Sequence, residues 1–94
     1  MSSIRVLMTP YFKRTYKKLH ANQKEAVNKA VETITVTPEL GVEKKGDLAG
    51  VYVYKFDCVG HEYLLAYEFN TETRILLALG VHENFYRDIK HSVP

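Results

Sequence analysis

The residues best suited to chemistry lie near the C-terminus, in Leu79-Gly80-Val81-His82-Glu83-Asn84-Phe85-Tyr86. There an imidazole stands where a strand runs out into a turn, and a phenol follows four residues later. Imidazole transfers protons near neutral pH, and the end of a strand holds a side chain firmly. Such a set suits metal-free cleavage of RNA: a base takes the proton of the 2′-OH, the oxygen attacks the adjoining phosphate, and cations stabilise the developing charge. The spacing also fits an alternative, with His82 and Glu83 as exposed polar residues at a strand end and Tyr86 in packing.

Other chemistries find no footing. Cys58 is the only cysteine, and His20, His61, His82 and His91 lack metal-ligand spacing, so neither a metal nor a cofactor is expected. The glycines are too scattered for a phosphate loop. Ser2, Ser3 and Ser92 lie at the chain ends, where a nucleophile is hard to hold. Cations are more informative. Lys13, Arg14, Lys17 and Lys18 crowd one segment, Lys44 and Lys45 another, and Arg87 follows Tyr86; all are candidate anchors for an RNA backbone. Singly, each is as readily an ordinary solvated charge. A net charge of +2 with a pI near 8.7 permits a nucleic-acid partner without requiring one.

These side chains need elements to hold them. Ser3 to Met8 alternates loosely as a short strand that Thr9-Pro10 stops; Thr9 suits an N-cap and Pro10 the first helical position. Phe12, Tyr16 and Leu19 recur at helical spacing. Asn22-Gln23-Lys24-Glu25 has a capping-box pattern that opens a second helix, with Ala26, Val27, Ala30, Val31 and Ile34 on its apolar face and Pro38 ending it near Thr37. Glu39 to Gly50 reads as the main loop. Val51 to Cys58, His61 to Phe69 and Arg74 to Val81 are β-branched and aromatic runs joined by short links, hence an antiparallel meander. Tyr11, Tyr52, Tyr54, Tyr63 and Tyr67 sit at packing positions in these elements. Glu83 to Lys90, with Phe85 and Ile89 on one face, reads as one or two turns of a terminal helix, or equally as a partly ordered tail.

The order predicts an α+β fold: an N-terminal strand, a two-helix hairpin, a three-stranded antiparallel meander completing a four-stranded sheet, and a short C-terminal helix. Ninety-four residues, 46% hydrophobic and 26% charged, suffice for one domain over residues 1–94 with a single core. No apolar run approaches the roughly 18 residues that span a bilayer, and the opening residues hold no long apolar stretch. A lone cysteine fits a reducing compartment. A cytoplasmic protein with no membrane partner is expected.

Most of the chain resembles toxins of the RelE/ParE superfamily of type II toxin–antitoxin systems. The resemblance covers the opening strand with Thr9-Pro10-Tyr11-Phe12, the loop end Asp47-Leu48-Ala49-Gly50, the Tyr54-Lys55-Phe56 and Glu62-Tyr63-Leu64-Leu65-Ala66-Tyr67 strands, and the closing Gly80, His82 and Tyr86. It implies a ribosome-dependent mRNA endonuclease that inhibits translation, with His82 resembling the acid/base histidine of the YafQ and YoeB branches and Tyr86 the aromatic residue that shapes or stacks the substrate. Lys55 resembles a lysine that manages phosphate or proton transfer, and Glu62 falls where the YafQ branch has an aspartate, which would orient a base or hold the substrate; each reads as readily as a solvated strand position. Leu64 departs from the pattern, standing where many nuclease members place an arginine, so Lys44, Lys45, Arg74 or Arg87 would have to supply that charge. The departure motivates an alternative, a ParE-like inhibitor of DNA gyrase without hydrolytic activity. Under either reading the implied partners are a cognate antitoxin, forming a toxin–antitoxin hetero-oligomer, and the ribosome with mRNA or else gyrase.

Overall fold

The computed structural model describes residues 3–81. Strand β1 (Arg5–Met8) leads into helix α1 (Pro10–Lys17) through Thr9, as its cap chemistry predicts. The Thr9 hydroxyl accepts from the Phe12 N–H at 3.1 Å and donates to the Leu77 carbonyl at 2.7 Å, so one side chain caps the helix and ties it to a strand. Helix α2 (Ala21–Val36) begins slightly earlier than its Asn22-to-Glu25 pattern suggests. Gln23 Oε1 reaches back to the His20 N–H at 2.8 Å, which makes His20 the cap.

Strands β3 (Tyr52–Cys58), β4 (His61–Phe69) and β5 (Thr73–Gly80) form the expected antiparallel meander. The sheet has five strands rather than four, in the order β1-β5-β4-β3-β2. The extra strand, β2 (Val42–Glu43), lies within the segment read as loop and pairs with Val53 and Tyr52. A strand of two residues is too short for alternation to show in sequence, and its partner alone defines it. β1 pairs parallel to β5, so the sheet is mixed. The expected C-terminal helix lies outside the described residues.

Both helices pack on one face of the sheet. Phe12, Val27, Ala30 and Ile34 meet Cys58, Leu65, Tyr67, Leu76 and Leu79 there, and Tyr52, Tyr54 and Tyr63 pack around them. Alternation sends Val53, Leu64, Ala66, Leu77 and Ala78 to the opposite face, hereafter the far face, where they form a second cluster with Val51. Tyr11, Leu48 and Ile75 pack against that cluster. The register of β4 on β5 slips by one residue between Ala66 and Tyr67, because Leu77 is inserted as a bulge. Its carbonyl is the one that Thr9 occupies.

Two turns close the meander. Asn70 Oδ1 accepts from the N–H groups of Glu72 and Thr73, each at 2.8 Å. Val59 and Gly60 link β3 to β4 with φ of 53° and 84°, both left-handed, as a two-residue hairpin loop demands. A β-branched residue is costly at the first of these positions, and asparagine is the favoured one. Since the Val59 side chain is half exposed, little packing is at stake. Val59→Asn is expected to stabilise the fold by about 1 kcal/mol, read as a higher denaturation midpoint in urea with an unchanged slope.

Candidate active face

The far face brings together two residues expected from sequence and one that was not. Lys55, Leu64 and Gly80 align in one row across β3, β4 and β5. In the adjoining row, nearer the hairpin, Asp57 stands directly opposite Glu62. Lys55, Asp57 and Glu62 are all exposed. Asp57 was missed, although counting by twos along β3 from Val53 through Lys55 reaches it. Opposed carboxylates destabilise a strand pair on their own. Lys55, two residues from Asp57 on one strand and diagonal to Glu62 on the next, is placed to offset that repulsion.

Leu64 is no substitute for a cation: only 4% exposed, it is part of the far-face core. Arg74 does not replace it. Its side chain is 5% exposed on the helix side, where the guanidinium donates to the carbonyls of Thr35, Asn70 and Thr73 at 2.7–3.1 Å and lies 5.6 Å from the Phe69 ring centre. All this engages Arg74 in holding the C-terminal turn of α2 to the β4–β5 turn.

Lys44 and Lys45 precede a short 3-10 turn (Gly46–Leu48), and Leu48 and Val51 pin this segment to the far face. The Lys44 backbone N–H donates to the Val51 carbonyl at 2.8 Å. These lysines therefore belong to the stretch folded onto the same face as Lys55. Lys13, Arg14, Lys17 and Lys18 are exposed on or just after α1, which packs through Phe12 and Tyr16 on the helix side. The structure thus divides the expected RNA-binding cations between two regions. His82, Tyr86 and Arg87 lie outside the described residues, of which β5 ends at Gly80, two positions before His82.

Cys58 is not a nucleophile of this site. It is fully buried on the helix side, and burial, then the neighbouring Asp57 charge, push its thiol above the usual range. Among the described residues, no group of three or more His, Cys, Asp or Glu side chains is placed to hold a metal ion. No described helix is long and apolar enough to cross a membrane.

The described residues thus form an α+β scaffold: a small mixed sheet with a parallel N-terminal strand, two helices on one face and charged side chains on the other. It is similar to a free mutant of the Escherichia coli toxin RelE, with a TM-score of 0.77 at 14% identity, covering 98% of this chain and 99% of that one. It is also similar to a chain of the RelBE2 toxin–antitoxin complex of Mycobacterium tuberculosis (TM-score 0.71, 21% identity, 85% and 99% covered). A chain of the intact E. coli RelBE toxin–antitoxin complex matches with a TM-score of 0.68 at 18% identity, covering 87% and 100%. Identities this low show the fold alone. The family model for ParE-like toxins of type II bacterial toxin–antitoxin systems matches residues 6–90, and the chain belongs to that family. Comparison with curated proteins gives no match.

Proposed function

We propose that this toxin arrests growth by cutting mRNA on the ribosome without a metal. The observation that supports the reading is the row of Asp57 and Glu62 beside Lys55 at the hairpin end of the far face, with Gly80 at the end of β5 in the adjoining row. In this reading Glu62, with Asp57, holds the substrate or the base that takes the 2′-OH proton. Lys55 offsets charge on the attacked phosphate. His82 serves as the acid/base that returns a proton to the departing 5′ oxygen, and Tyr86 stacks the nucleotide. Lys44, Lys45 and Arg87, with Lys13, Arg14, Lys17 and Lys18 further off, hold the RNA backbone. The neutralising partner is a cognate antitoxin, and the toxin works in the cytoplasm, where its target is.

The test is cleavage of a translated message in a cell-free system by wild-type protein and by His82→Ala. The expected result is cutting by the first and its loss in the second; equal cutting by both removes His82 from the mechanism, and no cutting by either removes the nuclease reading.

One observation favours a second reading, inhibition of DNA gyrase by binding. Leu64 is packed away in the far-face core, so the middle strand of the Lys55–Leu64–Gly80 row supplies no cation to a cleavage transition state. A supercoiling assay with purified gyrase decides: unimpaired supercoiling at saturating toxin rules this reading out.

A further inference from the structure

We propose that the stretch of the β3 edge from Tyr54 to Cys58 is self-pairing: a second copy of this chain docks on it antiparallel, about a two-fold axis at Phe56. The inference rests on the backbone and charges of β3 and α2, and not on the cleavage reading.

β2 covers the outer side of β3 only at Tyr52 and Val53. From there to the turn at Val59, no described strand lies on that side. Hairpin geometry fixes which backbone groups are left. The two-residue loop makes Cys58 and His61 a hydrogen-bonded pair, so Cys58, Phe56 and Tyr54 bond to β4, while Asp57 and Lys55 turn their N–H and C=O groups outward. Val51 has the same parity and the same direction, its carbonyl accepting from the Lys44 N–H just past β2 at 2.8 Å.

A charge commonly keeps such an edge from pairing, and Lys55 alone would do so. Asp57, two residues on, reverses this. With the axis at Phe56, Lys55 of each chain stands opposite Asp57 of the other. Each such pair exchanges both backbone hydrogen bonds and sets an ammonium beside a carboxylate on the far face. Moving the axis to Lys55 or to Asp57, the neighbouring positions that parity allows, opposes like charges instead.

α2 carries the same two-fold pattern. It runs antiparallel to β3: the Cys58 thiol lies 3.7 Å from the Gln23 carbonyl, and Tyr67, opposite Tyr52, donates its hydroxyl to the Pro38 carbonyl at 2.6 Å. Two residues back along β3 from Cys58 is about 6.6 Å, or about four residues of helix, which sets Val27 level with Phe56. Glu25 and Lys29 lie on either side of that level. Both are exposed, and both line an open groove of about 460 Å³ between α2 and β3, as do Tyr54 and Phe56. The axis therefore brings Glu25 of each chain toward Lys29 of the other. Opposite charges spaced symmetrically about one axis on two separate elements match a second copy, whereas a partner of single sign would be repelled by half of them. Pairing also covers Lys55 and Asp57 of the candidate active face, so the dimer is a closed form of that face; this consequence alone rests on the cleavage reading.

Sedimentation of the purified full-length toxin over a range of concentrations is expected to show a reversible dimer that weakens with salt. Hydrogen exchange at the Lys55 and Asp57 amides is expected to slow as the dimer forms. Lys29→Glu, at an exposed position, is expected to raise the dissociation constant about tenfold, and Glu25→Lys combined with Lys29→Glu to return it to within about threefold of wild type. Lys55→Pro removes an outward donor without touching a bond to β4, a change edge strands tolerate, and is expected to weaken the dimer at least about tenfold. Should that variant fail to fold, the charge exchange decides the matter. A monomer at every concentration overturns the proposal, as does a dimer whose affinity the exchange does not restore, or one in which the Lys55 and Asp57 amides still exchange freely. Slow exchange of those amides in the monomer assigns the edge to the chain's own remaining residues and overturns it too.

Discussion

Arg74→Met is expected to destabilise the protein by about 3–5 kcal/mol, an effect large enough to unfold a domain of this size near physiological temperature. The methionine retains a long apolar stem but none of the donors. In the wild type, Nε and one terminal nitrogen donate to Thr35 O at 3.1 and 3.0 Å, while the other donates to Asn70 O at 2.7 Å and Thr73 O at 3.0 Å. Removing the guanidinium leaves carbonyls at a helix end and a strand turn without these partners, in a site where the side chain is 5% exposed. Each such group costs about 1–3 kcal/mol when orphaned. Arg74→Lys should recover little, because an ammonium is a compact donor and cannot span three carbonyls as a planar fork does. Chemical denaturation followed by circular dichroism measures both; near-wild-type stability of the methionine variant would show that the guanidinium is dispensable.

Tyr67→Phe is expected to cost about 2–3 kcal/mol while changing no apolar surface. Tyr67 is completely buried. Its hydroxyl donates to the Pro38 carbonyl at 2.6 Å and accepts from the Gly41 N–H at 3.0 Å, so phenylalanine strands a donor and an acceptor together. The approach is close enough that a β-carbon at Gly41 would stand 2.5 Å from that hydroxyl, which explains the glycine. Past Gly41 the chain forms β2 and reaches Lys44 and Lys45, so the variant should also loosen that segment and speed its amide exchange. Burial above all, with the Tyr52 and Glu39 charges adding, raises the Tyr67 hydroxyl above its ordinary 10.0, against the opposing pull of the Gly41 hydrogen bond and Arg74. A raised folded value means that deprotonation penalises the native state: stability is intact below the ordinary value and is lost as pH climbs beyond it. The phenylalanine variant should lack that part of the alkaline loss. Equal stability of the two proteins at neutral pH would sink the clamp.

Much of this architecture was legible before any coordinates. Thr9-Pro10 announced a helix start because cap and first-turn chemistry are local, and the meander followed from β-branched runs with short links. The features that escaped are non-local. β2 exists only because Val53 and Tyr52 accept it as a neighbour. Arg74, weighed as a stand-in cation for RNA, proved to serve packing, since nothing in sequence says that the Thr35 and Asn70 carbonyls converge on it beside that of its neighbour Thr73. Lys55 and Glu62 were singled out by resemblance; that they share a face with Asp57 is a matter of register, which one strand cannot reveal about the next. His82 and Tyr86 lie outside the described residues, so their part in the site stands as proposed.

The inserted Leu77 sets a parity rule for the last strand. Upstream of it, even-numbered side chains such as Arg74 and Leu76 look toward the helices; downstream, Ala78 looks the other way and odd-numbered Leu79 takes the inward place. Excising Leu77 alone would leave Leu76, Ala78 and Leu79 in plain alternation, each on the side it already faces, whereas removing a pair at that point would turn the strand's closing stretch over. Among homologous toxins, this stretch should therefore tolerate the loss of one residue, with the kink, better than the loss of two.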